Sequence, residues 1–170
     1  VLATDIAESS LTVDGVSIVV DAGLSRGPRY DPSSGLTRLV TRPASQASAD
    51  QRAGRAGRTG PGTAVRLWPE AEHRSRARFA DPEISVVDLA GLALELAVWG
   101  SEPADLAFPD QPPPGAWAEA GSLLRQLGAL TADGRPTRTG RAMAALPLHP
   151  RLARMVVAAE ESGEGWTAAL

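Results

Sequence analysis

Between residues 51 and 62 the sequence reads Gln-Arg-Ala-Gly-Arg-Ala-Gly-Arg-Thr-Gly-Pro-Gly, and no other stretch constrains the fold as much. Four glycines and a proline in twelve residues cannot prolong a helix, so any helix that enters this run ends inside it. Ser45 supplies an N-cap, and the expected helix covers residues 46 to 55. On it Gln51 and Arg55 lie four apart on one face, and Arg58 extends from its end along roughly the same side. One amide and two guanidiniums can then converge on a small anion, with the glycines keeping bulk away. Such a set suits the terminal phosphate of a nucleotide, because phosphoryl transfer needs positive donors on developing oxygen charge and an amide or carboxylate to orient water. The plainer alternative is an exposed basic helix that its glycines merely terminate.

The charge distribution sharpens this. Residues 26 to 66 hold eight arginines against Asp31 and Asp50, while the first 25 residues hold four acids and no base. The net charge of −3 therefore conceals a local +6. All basic residues are arginine, whose planar fork matches phosphate bidentately, although uniform arginine usage is also expected of a GC-rich genome. The absence of cysteine excludes a disulfide framework, a thiolate zinc site and a cysteine nucleophile, and it fits a cytoplasmic setting. Only His73 and His149 remain as nitrogen ligands, so no metal site is expected. No apolar run is long enough to span a membrane. The opening Val1-Leu2-Ala3-Thr4 reads as a buried strand entering a functional loop, in a piece of a longer protein.

Along the chain, Val16 to Val20 reads as a central strand. Arg26 to Tyr30 and Leu36 to Thr41 flank a turn cluster and suggest a hairpin. Thr63 to Trp68 reads as a further strand. Ser85 with Asp88 resembles a capping box before an apolar helix ending at Trp99-Gly100. Residues 103 to 114 read as an ordered connector. A helix from Ala116 to Leu127, a tight hairpin over residues 130 to 137, a helix from Thr139 to Leu146 and a last helix from Pro150 to Glu161 follow, with His149 as its cap. Trp68, Trp99, Trp117 and Trp166 are expected in core or domain-contact positions. The whole is α/β followed by mostly α.

QRAGRAGRTGPG at residues 51 to 62 resembles motif VI of the superfamily 2 helicases in its DEAH-box form, and ATDIAESSLTVDGV at residues 3 to 16 resembles motif V. The intervening VVDAGL and RPASQASADQRAGR, and the later DLAGLALELAVWG, DQPPPGAW, LLRQLGAL and GRPTRTGRAMAALPLHPRLARM, extend the similarity over nearly the whole chain, in wording most similar to the bacterial HrpB-type. The resemblance implies the C-terminal part of a second RecA-like domain over residues 1–70, a winged-helix domain over 71–146 and the start of a helical ratchet domain over 147–170.

It also implies roles. Gln51, Arg55 and Arg58 match nucleotide-phosphate contacts, with Arg55 and Arg58 as arginine fingers, whereas Arg52 matches a structural position. Thr4 matches a contact to a strand phosphate, and Ala3 stands where many relatives carry a serine. Asp5 departs from the commoner asparagine. Asp14 lies where motif V approaches the nucleotide, and an acid before Gly15 is equally ordinary turn chemistry. Arg26, Arg29, Arg38 and Arg42, with Tyr30, would line a hairpin that guides a single strand, or the hairpin would simply cover a neighbouring domain. The implied cofactor is ATP with Mg²⁺, whose metal ligands lie outside this chain. The implied partners are single-stranded nucleic acid, RNA before DNA, and the first RecA-like domain of the same parent. With no lysine the chain holds no phosphate-loop lysine, and alone it is expected to be inert. The alternative is a non-catalytic nucleic-acid or protein binding module carrying relic helicase motifs.

Overall fold

The β-branched run before Asp21-Ala22-Gly23 forms a strand, β1 (Ile18–Asp21). In the computed structural model, which describes residues 1–4, 8, 14–31, 34–58 and 60–163, β1 pairs in parallel with β4 (Thr63–Arg66), Ile18 opposite Thr63 and Val20 opposite Val65. A parallel pair needs a crossover. Here it consists of the antiparallel hairpin β2 (Leu24–Asp31) and β3 (Leu36–Pro43), followed by helix α1 (Gln46–Ala56), which packs on β1 and β4.

Three local devices fix this path. Ser45 caps α1 by accepting from Ser48 N at 3.1 Å. Gly23 turns β1 into the hairpin at φ +72°, with its N–H donated to Asp21 Oδ1 at 2.8 Å. Gly62 lets the chain return beneath α1, since a Cβ there would stand 2.1 Å from the Ala56 carbonyl oxygen. Asp21 faces α1, so Ile18, Val20 and Val65 lie on the opposite face of the sheet, where they are exposed.

A short helix, α2 (Glu70–Ser75), closes this part of the chain. Arg76 anchors it: the side chain is 5% exposed, Nη1 donates to Gly23 O at 2.7 Å and to Ala44 O at 3.2 Å, Nη2 meets Glu72 Oε1, and the guanidinium lies 4.1 Å over the Trp68 ring. Val1–Asp81 form one compact unit and Pro82–Leu170 a second.

The second unit is built on helices α3 (Ala90–Trp99), α4 (Pro114–Gln126), α5 (Arg138–Ala144) and α6 (Pro150–Ser162), with short 3₁₀ turns at Glu83–Ser85 and Pro103–Asp105. Helix α3 packs against the other three, and Leu89, Leu94, Leu124, Met143, Ala153 and Val157 form the centre of one apolar core. Gly100, at φ +83°, ends α3 by donating to Leu96 O and Ala97 O. His149 caps α6 through Nδ1, which accepts from Arg151 N at 3.3 Å, while its Nε2 lies 3.3 Å from Asp88 Oδ2. Because Asp88 Oδ1 accepts from Ala90 N, this pair ties together the starts of α3 and α6.

Several expectations shift. Residues 1–4 form no strand, and Val1 and Leu2 are fully exposed. A strand needs a neighbour, and among the described residues β1 and β4 pair only with each other. Ser85 belongs to a 3₁₀ turn, its hydroxyl donating to Pro82 O, and α3 starts five residues later. The hairpin over 130–137 reduces to a single bridge between Leu130 and Pro136, because proline has no N–H with which to extend a ladder. The strand expected to reach Trp68 ends at Arg66. Trp99 is 69% exposed rather than in the core, Trp117 packs on the core's edge, and Trp166 lies outside the described residues.

Candidate functional site

Helix α1 carries Gln51 and Arg55 one turn apart, and the chain leaving it carries Arg58. These three, with Gly54 and Glu8, line one cleft of about 390 Å³. The convergence expected from their spacing is thus present. Among the described residues Arg58 has no side-chain partner and is exposed, and Gln51 is exposed beside it. Arg55 is half-buried: Nε donates to the main-chain carbonyl of Glu8 at 3.0 Å, and Nη2 reaches the same oxygen. A Cβ at Gly54 would meet nothing within 4 Å, so this glycine leaves the cleft open rather than easing any packing.

Glu8 is the residue that sequence reasoning missed. Its carboxylate accepts from Ser48 Oγ at 2.6 Å and from Arg52 Nε at 3.1 Å. Arg52 is not among the residues lining the cleft, and its Nη1 meets Asp21 Oδ1 at 3.1 Å and Leu24 O at 2.9 Å. Arg52, Glu8 and Asp21 are 15%, 17% and 7% exposed at their side chains, so they form a largely buried ion cluster. No local pattern could have found Glu8, whose partners Ser48 and Arg52 lie 40 and 44 residues further along the chain.

The remaining candidates lie elsewhere. Thr4 is exposed, and Asp5 falls outside the described residues. Asp14 is exposed in the turn completed by Gly15 at φ +75° and is not among the residues lining the cleft. On the hairpin the register separates the arginines. Arg29 and Arg38 stand directly opposite one another, on the face that also carries Arg42, whereas Arg26 is opposite Thr41 on the face of Tyr30. Arg42 is bonded to Asp81 at 3.4 Å. Among the described residues no cluster of three potential metal ligands occurs, and no helix is long and apolar enough to cross a membrane.

Residues 1–60 match the family described as "Helicase conserved C-terminal domain". Over 99% of its length the chain is 48% identical to "ATP-dependent RNA helicase HrpB" of Escherichia coli, and over 96% it is 41% identical to "ATP-dependent RNA helicase HrpA" of the same organism. It spans about a fifth of the first relative (21%) and 13% of the second. Among solved structures it superposes on E. coli HrpB, titled a DEAH/RHA helicase, with a TM-score of 0.90 and 48% identity, covering 98% of this chain and 21% of that one. A second HrpB structure, titled a DExH-box NTPase, gives 0.87 and 47%, covering 98% of this chain and 20% of the other. The fold of the first unit is the RecA-like α/β fold of helicase C-terminal domains, and over nearly its whole length the chain is similar to the corresponding fifth of the HrpB-type helicases.

Proposed function

We propose that this chain is the part of an ATP-dependent RNA helicase that supplies two arginine fingers and a portion of the single-strand path. The observation that carries the reading is the cleft in which Gln51, Arg55 and Arg58 converge over an unfilled glycine, Gly54. Three donors, two of them cationic, suit the anionic end of a nucleoside triphosphate, whose terminal phosphoryl group supplies the free energy released on hydrolysis. Arg55 and Arg58 stabilise charge on that group, and Gln51 orients the attacking water. Among the described residues the one carboxylate lining the cleft, that of Glu8, is engaged by Ser48 and Arg52, and Mg²⁺ is assigned to ligands of the parent protein outside this chain. We assign the first compact unit, Val1–Asp81, to the second RecA-like domain, which moves the boundary expected at residue 70 to 81, residues 82–146 to a winged-helix domain and 147–170 to the start of a ratchet domain.

Strand contact is assigned to Thr4 and to the hairpin. Two arginines directly opposite on one face, Arg29 and Arg38, repel each other unless an anion lies between them, and a phosphate backbone supplies one. Tyr30 and Arg26 offer the other face a surface for a base or sugar. The first RecA-like domain of the parent closes the nucleotide site, and the working location is the cytoplasm.

The intact parent should hydrolyse ATP, faster with single-stranded RNA than without, and unwind a tailed duplex in the same buffer. The present chain alone should show no turnover above a buffer control. A parent that binds RNA and shows no ATP hydrolysis would favour the binding-module alternative instead.

A further inference from the structure

Arg52 sits in the arginine run of α1 but is not among the residues lining the cleft. Its guanidinium touches three separate segments: the Glu8 carboxylate, the Asp21 carboxylate at the end of β1, and the Leu24 carbonyl where the hairpin begins. One turn further along the same helix, Arg55 holds the main-chain carbonyl of Glu8. Glu8 is therefore gripped at both ends by α1, its side chain by Ser48 and Arg52 and its main chain by Arg55. The hairpin root is tied to the same helix by the same guanidinium. The donors are used in a way only arginine allows, since Nε and Nη1 point at different acceptors in one rigid plane. A lysine has one nitrogen and could not span Glu8, Asp21 and Leu24 together.

We infer that Arg52 is a positioning residue that locks the base of the strand-guiding hairpin and the Glu8 segment to the helix bearing Arg55, so that engagement of a nucleic-acid strand is felt at the finger. The inference rests on the helicase reading given above and adds to it a part for an arginine that contacts no phosphate. A strand pulling on β2 or on Thr4 moves Leu24 or Glu8, and through Arg52 either motion reaches α1. Asp21 Oδ1 accepts from both Gly23 N and Arg52, and Leu24 O is met by Arg52, so this one guanidinium adds a side-chain tie beside the backbone bond from Ala44 N to Gly23 O and the grip of Ser48 and Arg55 on Glu8.

The test is the ratio of ATP turnover with a saturating single-stranded RNA oligonucleotide to turnover without it, measured in the intact parent carrying Arg52→Lys. Coupling between two sites commonly amounts to a factor of roughly 5 to 150, and the ratio should fall by about tenfold within that range while the KM for ATP stays within about twofold. Should Arg52→Lys fail to fold, Asp21→Asn, which keeps both oxygen and nitrogen in place of the two carboxylate oxygens, should lower the ratio in the same direction by a smaller factor. A ratio unchanged in a folded variant overturns the inference. So does a proportional fall of both rates, which marks a purely structural residue. A wild-type parent without RNA-stimulated turnover would instead sink the helicase reading itself, and the two failures are thereby distinguished.

Discussion

Gly54 and Gly62 show how one residue type serves two different ends within nine positions. At Gly62 a Cβ would collide with the Ala56 carbonyl, so the glycine is a packing requirement. At Gly54 a Cβ would meet nothing, and the position lies inside helix α1, where glycine is worse than alanine by roughly 0.5–1 kcal/mol. The fold does not need Gly54, and the proposed nucleotide site gives the open space over it a use. Gly54→Ala should therefore raise the melting temperature of the protein slightly while lowering ATP turnover in the parent, because the added methyl enters the space that Gln51, Arg55 and Arg58 surround. Gly62→Ala should lower the melting temperature. Unaltered turnover in Gly54→Ala would show that this glycine only weakens the helix. That Gln51 and Arg55 share a face was legible from helical spacing alone, because positions four apart lie on one side of a helix whatever the tertiary context, whereas Arg58 lies beyond the helix end at Ala56. Glu8 was not, since its partners Ser48 and Arg52 lie about forty residues away, where no periodicity reaches.

At the scale of elements, the hairpin was legible as two strands, but its division of labour was not. Counting arginines along the chain treats Arg26, Arg29, Arg38 and Arg42 as one set. The register puts Arg29, Arg38 and Arg42 on one face and Arg26 on the other, and a single-residue slip would reverse them. Replacing Arg29 and Arg38 together by glutamine in the parent should impair unwinding while leaving ATP hydrolysis largely intact. Arg26→Gln should have a smaller effect, because it removes no member of the opposed pair. Equal loss of hydrolysis and unwinding, measured on one preparation, would mean that the hairpin docks or stabilises a neighbour instead. Helix α1 was placed to within one residue because Ser45 and Gly57 act locally. Helix α2 was missed since it has six residues, no capping side chain, and an anchor, Arg76, whose partners are Gly23 and Ala44 far upstream.

At the scale of the whole chain the two units differ in how far they bury themselves. The second has a single apolar core centred on Leu124 and Met143, both essentially inaccessible to solvent. The first has a two-stranded parallel sheet with Ile18 and Val20 exposed by 65% and 62% on one face, and parallel strands are normally covered on both. Hydrogen exchange on this chain should accordingly show slow amides in α3 and α4 and fast ones in β1 and β4; equal protection in both units would contradict that difference. The central claim is that Arg55 and Arg58 act on the transferring phosphoryl group. The most direct measurement is single-turnover ATP hydrolysis by the intact parent with Arg55→Ala, alongside a nucleotide-binding titration. The rate should fall on the order of a thousandfold, as loss of an arginine finger generally entails, with nucleotide affinity falling far less. A rate within a factor of about two of the unaltered protein would contradict the account, because each such factor is well under 1 kcal/mol of transition-state stabilisation.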